Sequence, residues 1–150
     1  MGDFMRCYLF DIDGTLADCH HRLHHIETSP KDWRSFFAAC LDDKPIPHII
    51  ELMDELHGAG AKIVLVSGRS DECVMQTLEW IHIHTSLVGP PLYMRRAGDH
   101  RPDNLIKIEL LAQLRADGYE PIMAFEDRNQ VVEAWRNAGI PCAQVAPGDF

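Results

Sequence analysis

An α/β fold, a parallel sheet covered by helices on both faces, is what this sequence predicts, on three observations. Short apolar runs rich in β-branched and aromatic residues alternate with longer stretches whose apolar residues recur at helical spacing. Several of these short runs end directly in acids or a hydroxyl: Asp11 and Asp13 after Met5–Phe10, Ser67 after Ala61–Val66, Glu126-Asp127 after Pro121–Phe125. Right-handed crossovers set all strand C-termini on one edge, where open α/β sheets carry their sites, so these groups should converge.

The chain is organised around Asp11-Ile12-Asp13-Gly14-Thr15. Extended backbone turns Asp11 and Asp13 to one side and Ile12 back to the core. Two carboxylates so close need a shared cation or a retained proton, and oxygen ligands favour a hard ion such as Mg²⁺. Gly14 allows a sharp turn and Thr15 adds a hydroxyl. The competing reading is an Asp-Gly turn with two solvated acids.

Leu16 to Pro30 holds His20, His21, His24 and His25 around Arg22. In a helix His20 and His24, or His21 and His25, would share a face, a spacing open to a transition metal. No Cys or carboxylate is placed as an obvious further ligand, so a polar lid or loop edge is the preferred reading. Ser29 as N-cap and Pro30 at the first position open a helix carrying Trp33, Phe36, Phe37, Cys40 and Leu41. That stripe reads as packing, with an aromatic platform for a nucleobase as the alternative. Asp43-Lys44-Pro45 breaks the chain.

A helix over 46–57 should bury Ile49, Ile50, Leu52, Met53 and Leu56, and Gly58 with Gly60 ends it. After the 61–66 strand, Ser70 caps a helix to about His84 with Val74, Leu78 and Ile81 inward. A short strand at 91–94 leads into a locally basic loop with Arg95, Arg96 and Arg101, which could line a path for a nucleic-acid strand. Asp103 caps a helix to Ala116 with Leu105, Ile108, Leu111 and Ala112 as its apolar face, and Lys107 in its first turns. The 121–125 strand, a helix over 130–138 closed by Gly139, and a strand over 142–145 complete the alternation.

At 150 residues, with 46% hydrophobic and 25% charged residues, the chain is expected to form one globular domain. A formal charge of −9 argues against gripping duplex DNA over a broad surface, so a phosphorylated substrate must be held locally. The five scattered cysteines contain no C-x-x-C pair, and neither a signal peptide nor an apolar run of membrane-spanning length is present. A cytoplasmic protein with reduced thiols and no membrane partner is the expectation.

These residues resemble the four motifs of the haloacid dehalogenase (HAD) superfamily: Asp11-Ile12-Asp13-Gly14-Thr15, then Ser67, Lys107 and Glu126-Asp127 in order. Val66-Ser67-Gly68-Arg69, the segment from Gly98 through Asp103 to Lys107, Asp127 to Arg136, and Gly148-Asp149-Phe150 resemble more closely the phosphatase domain of the bacteriophage polynucleotide kinase/phosphatases. The resemblance implies a three-layer Rossmann-like HAD fold with a minimal cap, residues 18–45 being a small cap-like insertion in a single domain over 1–150. No G-x-x-x-x-G-K-[ST] loop occurs, so a phosphatase without its kinase half is expected, with a separate kinase or ligase as a possible partner.

By that resemblance the enzyme is a Mg²⁺-dependent phosphomonoesterase working through an aspartyl phosphate, most simply on the 3′-phosphate of a polynucleotide end. Asp11 is the implied nucleophile and Asp13 the acid, then the base. The ion falls to Asp11, the backbone carbonyl of Asp13, and Asp127, with Glu126 binding a metal water or orienting Lys107. Ser67 and Lys107 donate to phosphoryl oxygens, Gly68 lines the phosphate site, and Thr15 supports the first-motif loop. Arg22 and Arg69 are candidates for gripping the phosphate, and Arg128 for bracing the acids. The short link between the first and second motifs leaves the site open. Two alternatives stand beside this reading: a phosphatase for nucleoside monophosphates or other small esters, and a non-catalytic phosphate-binding module.

Overall fold

Residues 2–150 are described by the computed structural model. Five strands, β1 (Met5–Phe10), β4 (Lys62–Ser70), β5 (Leu92–Arg95), β6 (Tyr119–Glu126) and β7 (Cys142–Gln144), form a parallel sheet in the order β5-β4-β1-β6-β7. The predicted α/β class is therefore correct. β1 lies at the centre, where the strand order reverses, so the loop after Phe10 opens at the switch point.

Helices cover both faces. α5 (Asp103–Ala116) and α6 (Asn129–Asn137) pack with Leu9, Val64 and Ala124, whereas α3 (Pro47–Gly58) and α4 (Val74–His84) pack with Phe10, Leu65 and Phe125. Alternation along each strand divides its apolar residues between these two cores.

Between β1 and α3 the chain leaves through β2 (Ala17–Asp18) and returns through β3 (Lys44–Pro45), a two-stranded antiparallel neck. The excursion carries a 3-10 turn over 20–22, α1 (His24–Glu27), α2 (Trp33–Ala38) and a second 3-10 turn over 39–42. A neck that opens and closes at one point sets Asp43 beside the loop of Asp13, although 30 residues separate them in sequence.

Five sequence expectations change here. The helix expected from Pro30 starts at Trp33, because Asp32 takes the N-cap and its side chain accepts from Ser35 N–H. On α3 Leu52 is 41% exposed, and on α4 the fully buried residues are Thr77, Trp80 and Ile81, with Val74 and Leu78 only partly covered. The inward face of α5 is Ile106, Lys107, Leu110, Leu111 and Leu114, while Leu105 and Ile108 are exposed. Hydropathy alone sets that helix in the wrong phase, because Lys107 itself points inward. Asp103 is the first residue of α5 and makes no capping bond.

Candidate active site

Two charge clusters meet beyond the C-terminal ends of β1, β4 and β6. In the first, Lys107 is fully buried and its Nζ donates to Asp11 Oδ1 at 2.8 Å and to Glu126 Oε2 at 2.9 Å. An ammonium carries three N–H donors, so one remains for a further acceptor. Asp11 Oδ2 accepts from the Thr15 hydroxyl at 3.1 Å. Glu126 Oε1 accepts from the backbone N–H of Asp127 at 3.1 Å and of Arg128 at 3.3 Å, so both Glu126 oxygens are engaged.

Asp127 reaches Asp11 because Gly14 has no side chain. Gly14 sits at φ +82°, and a Cβ there would overlap the Asp127 carboxylate. The C-terminus closes over the same residue: Gly148 carbonyl accepts from Asn129 N–H at 2.9 Å, and the Asp127 carbonyl accepts from Gln144 Nε2 at 3.0 Å. Arg128 donates to the Phe150 carbonyl at 3.0 Å instead of bracing the acids.

Oxygens of Asp11, Glu126 and Asp127 lie within 4.8 Å of one another. Burial, followed by repulsion from Glu126, pushes the Asp11 carboxyl up to about 8. Burial also raises Glu126 to about 7, and burial with the Asp11 charge raises Asp127 to about 7. Burial opposes the Lys107 charge, but Asp11 and Glu126 outweigh it and hold the ammonium well above its ordinary value. One cation therefore faces three buried acids, and the Asp11–Asp127 contact closes only around a shared proton or a cation. An all-oxygen donor set of this charge fits a hard divalent ion.

The second cluster holds Asp13. Its Oδ1 accepts from Arg22 Nη2 at 2.7 Å, from Arg69 Nη2 at 2.7 Å and from Arg69 Nε at 3.0 Å. Both guanidiniums are fully buried, and both also donate to Asp43: Arg22 Nε to Oδ1 at 2.8 Å, Arg22 Nη2 to Oδ2 at 2.8 Å, Arg69 Nη2 to Oδ2 at 2.9 Å. Burial works to raise Asp13, but Arg69 and Arg22 outweigh it and hold the carboxyl below the usual carboxylate range. The Asp13 side chain is 25% exposed, against 8% for Asp11 and none for Lys107, so the approach to the site passes Asp13.

Structure and sequence reading differ in several places. Arg22 and Arg69, expected to reach for a phosphate, are occupied with Asp13 and Asp43, because a buried guanidinium must find acids or carbonyls at once. The Asp13 carboxylate, expected to share a cation or a proton with Asp11, pairs with those arginines instead and lies outside the three-carboxylate cluster. The sequence marks Asp43 only as part of a chain break, yet it is buried and anchors both arginines. It is fixed from behind by Trp80 Nε1, which donates to its carbonyl at 2.8 Å. The available signal was the paired acid Asp42-Asp43 just before the return strand.

Ser67 and Gly68 stand at the β4 end as expected. Ser67 Oγ accepts from Arg69 N–H at 3.1 Å and keeps its own proton to donate. A Cβ on Gly68 would overlap the Asp103 carboxylate. The histidines form no shared helical face: His20 pairs with Asp18 at 2.7 Å, His21 with Asp43 at 2.7 Å, and among the described residues none joins a metal-ligating cluster. Arg95 and Arg101 are engaged by their own loop and by its neighbours β4 and α5, Arg95 with the Gly68, Asp99 and Arg101 carbonyls and Arg101 with Asp99 and Glu109.

Comparison with known proteins places this geometry. The family model for the polynucleotide kinase PNKP phosphatase domain matches residues 5–150. A protein of Autographa californica nuclear polyhedrosis virus, named as a bifunctional polynucleotide kinase/RNA ligase, is 31% identical over 143 residues, which is 94% of this chain and 19% of that protein. A chain in the Pnkp1/Rnl/Hen1 RNA repair complex superposes with a TM-score of 0.83 at 27% identity, covering 98% of this chain and 44% of that one. The class C acid phosphatase from Bacillus anthracis shares the fold, with a TM-score of 0.65 at 12% identity over 97% of this chain and 70% of that one. The chain thus spans less than half the length of the polynucleotide-processing relatives it matches. Phosphatases of this family use a metal ion, and the Asp11–Glu126–Asp127 cluster supplies ligands for one. From Met5 to Phe150 the chain belongs to the phosphatase-domain family of the polynucleotide kinases and is a phosphatase of the haloacid dehalogenase type.

Proposed function

We propose that this chain removes 3′-phosphates from polynucleotide ends, with Mg²⁺ as its ion and a phosphorylated Asp11 as intermediate. The observation that carries the reading is the opposed environment of two carboxylates two residues apart. Asp11 is held by Lys107 inside the acidic cluster, while Asp13 is held by paired arginines at the approach. Environments that push two carboxyls in opposite directions are how one site runs nucleophilic and acid–base roles together. The polynucleotide end as substrate is supported by the family and by the names of the two relatives that share 31% and 27% identity. The complex of one neighbour with Rnl supports a separate ligase as partner.

In the proposed sequence Asp11 attacks phosphorus in line and the bond to the 3′-oxygen breaks. The proton of Asp13 passes to that oxygen. Asp13, now a carboxylate, takes a proton from water as the water attacks the phosphoaspartate, and phosphate leaves. Lys107, with its free N–H, and the Ser67 hydroxyl meet the phosphoryl oxygens. Asp11, Asp127 and the Asp13 carbonyl hold the ion, and Glu126 positions Lys107. Mg²⁺, when bound, neutralises acids and phosphate and so lets two anions approach. The resting Asp13 is ionised. An incoming phosphate competes for Arg22 and Arg69, and that loss of counter-charge lets Asp13 take up the proton it must donate. Residues 18–45 serve as a small cap whose inner edge supplies Arg22 and Asp43.

The test is phosphate release, with Mg²⁺ and after chelation, from a 3′-phosphorylated oligonucleotide, a 5′-phosphorylated one, and 3′- and 5′-mononucleotides. Release favouring the 3′-phosphorylated oligonucleotide is expected. Equal or faster release from mononucleotides would move the function to small esters, and no turnover of any ester would point to a binding module.

Two further results follow from the acidic cluster. Asp11, Glu126 and Asp127 titrate in the folded state above their unfolded values, so their contribution to stability is complete below about pH 4 and is lost as pH rises towards about 8. Ion binding must displace their protons, so the rise in Tm on adding Mg²⁺ should grow between pH 6 and pH 8. At one hundred times Kd it should reach roughly 5–10 °C. A rise that is flat with pH would contradict the assignment. Gly14→Ala should lower Tm and raise the Mg²⁺ concentration for half-maximal activity by about 10–100-fold, by displacing Asp127. A magnesium titration of activity reads this directly.

A further inference from the structure

The excursion over 17–45 presents an aromatic group that the chemistry above does not use. Trp33, Phe36 and Phe37 lie in successive turns of α2. The Trp33 and Phe37 rings stack at 5.9 Å between centroids, and Trp33 meets Phe36 edge-on at 5.8 Å. Packing accounts for Phe36, which is 7% exposed, but not for Trp33, which is 37% exposed. The other two tryptophans, Trp80 and Trp135, are fully buried, so leaving this indole at the surface forgoes burial that the rest of the chain takes.

The group is tied to the phosphate end of the site. The Arg22 guanidinium lies 4.3 Å from the Phe36 ring centroid and donates to the Phe36 carbonyl at 3.2 Å, and the same guanidinium holds Asp13 at 2.7 Å. Trp33 is therefore linked to the carboxylate at the approach through one ring and one guanidinium. Two cations flank it, beside the Asp32 carboxylate that is spent on capping α2: the Lys31 ammonium lies over the Trp33 ring at 5.5 Å, and the exposed Arg34 follows Trp33 in the chain. In a chain of formal charge −9, cations beside an exposed indole suit a ligand with both a flat π face and a phosphate backbone.

We propose that Trp33, backed by Phe37, is a stacking subsite for a nucleobase in the terminal dinucleotide of the substrate, with Lys31 and Arg34 meeting the phosphate on its 5′ side. This deepens the proposed function and rests on it. It gives the enzyme a preference for nucleic-acid ends over small esters without reading sequence, because every base offers a π face. Trp33 is a substrate-positioning residue and takes no part in proton or phosphoryl transfer.

The test compares wild type, Trp33→Ala and Trp33→Phe on a 3′-phosphorylated oligonucleotide and on glycerol phosphate, which has no base. Stacking on an aromatic is worth about 1–3 kcal/mol per base, so Trp33→Ala should raise KM for the oligonucleotide by roughly 5–150-fold with kcat little changed. Trp33→Phe should recover most of it, and glycerol phosphate turnover should not respond. As the exposed tryptophan, Trp33 should also show fluorescence quenching, and protection from iodide, when an unphosphorylated oligonucleotide binds. An unchanged KM in Trp33→Ala, or an equal loss on glycerol phosphate, would overturn the subsite and leave the phosphatase reading standing. If wild type released no phosphate from 3′-ends while the oligonucleotide still quenched Trp33, the substrate assignment would fail and base stacking would stand.

Discussion

Asp11→Asn should lower phosphate release by at least about 10⁴-fold, the scale on which removal of a nucleophile acts when the rest of a site survives. The amide keeps the volume, and its oxygen can still accept from Lys107 or from Thr15, so the fold should persist. Stability gives the sharper signature. In the ion-free protein Asp11 is one of three buried acids facing a single lysine. Removing its charge relieves the repulsion that raises Asp127, so the variant should melt no lower than wild type at pH 8 without Mg²⁺ and respond much less to the ion. A variant that lost activity only by unfolding would show the opposite pattern, which thermal denaturation with and without Mg²⁺ distinguishes.

Asp43→Ala should have the largest effect on the fold and the second largest on rate. Asp43 is buried and accepts from two fully buried guanidiniums and from His21. Breaking a buried ion pair from one side costs about 3–5 kcal/mol, since the partner charge remains buried and unpaired. For a chain of this size that is a fall in Tm on the order of 10 °C or more. Activity should fall by about 10²-fold, because Arg22 and Arg69 lose the anchor that holds them on Asp13. Asp43→Asn retains one acceptor oxygen and should recover part of both losses, and the split can be read from Tm and single-turnover rates. If Asp43→Ala kept its Tm, the double-arginine arrangement would be wrong.

What was legible in the sequence follows from which physics is local. Strand ends carrying acids are a local pattern, and the structure brings Asp11, Asp13, Ser67, Glu126 and Asp127 to one edge as that pattern implied; Lys107 was legible there only through the family resemblance. The phase of α5 was not legible, because a buried lysine contradicts the hydropathy that sets a helix face. Only the acids of β1 and β6, distant in sequence, make Lys107 an inward residue. Asp43 is hard to read for a related reason: its partners Arg22 and Arg69 lie 21 and 26 residues away, and the adjacent Asp42-Asp43 pair does not say which acid is buried. The same pairing changes what Arg22 and Arg69 do, since an arginine read alone looks free to bind phosphate. Trp33 was seen as part of an apolar stripe, but a stripe does not say which of its members stays at the surface.

The most direct test of the account follows a labelled 3′-phosphate from an oligonucleotide onto the enzyme, by acid quench under single-turnover conditions. Wild type is followed on the oligonucleotide and Asp13→Asn on a labelled aryl phosphate, whose leaving group needs no proton while the second step still lacks its base. The account predicts label on the protein before it appears as free phosphate, more of it in Asp13→Asn, released by hydroxylamine, mapped to the peptide holding Asp11, and absent from Asp11→Asn. Free phosphate forming with no protein-bound label at any time in either enzyme would contradict it.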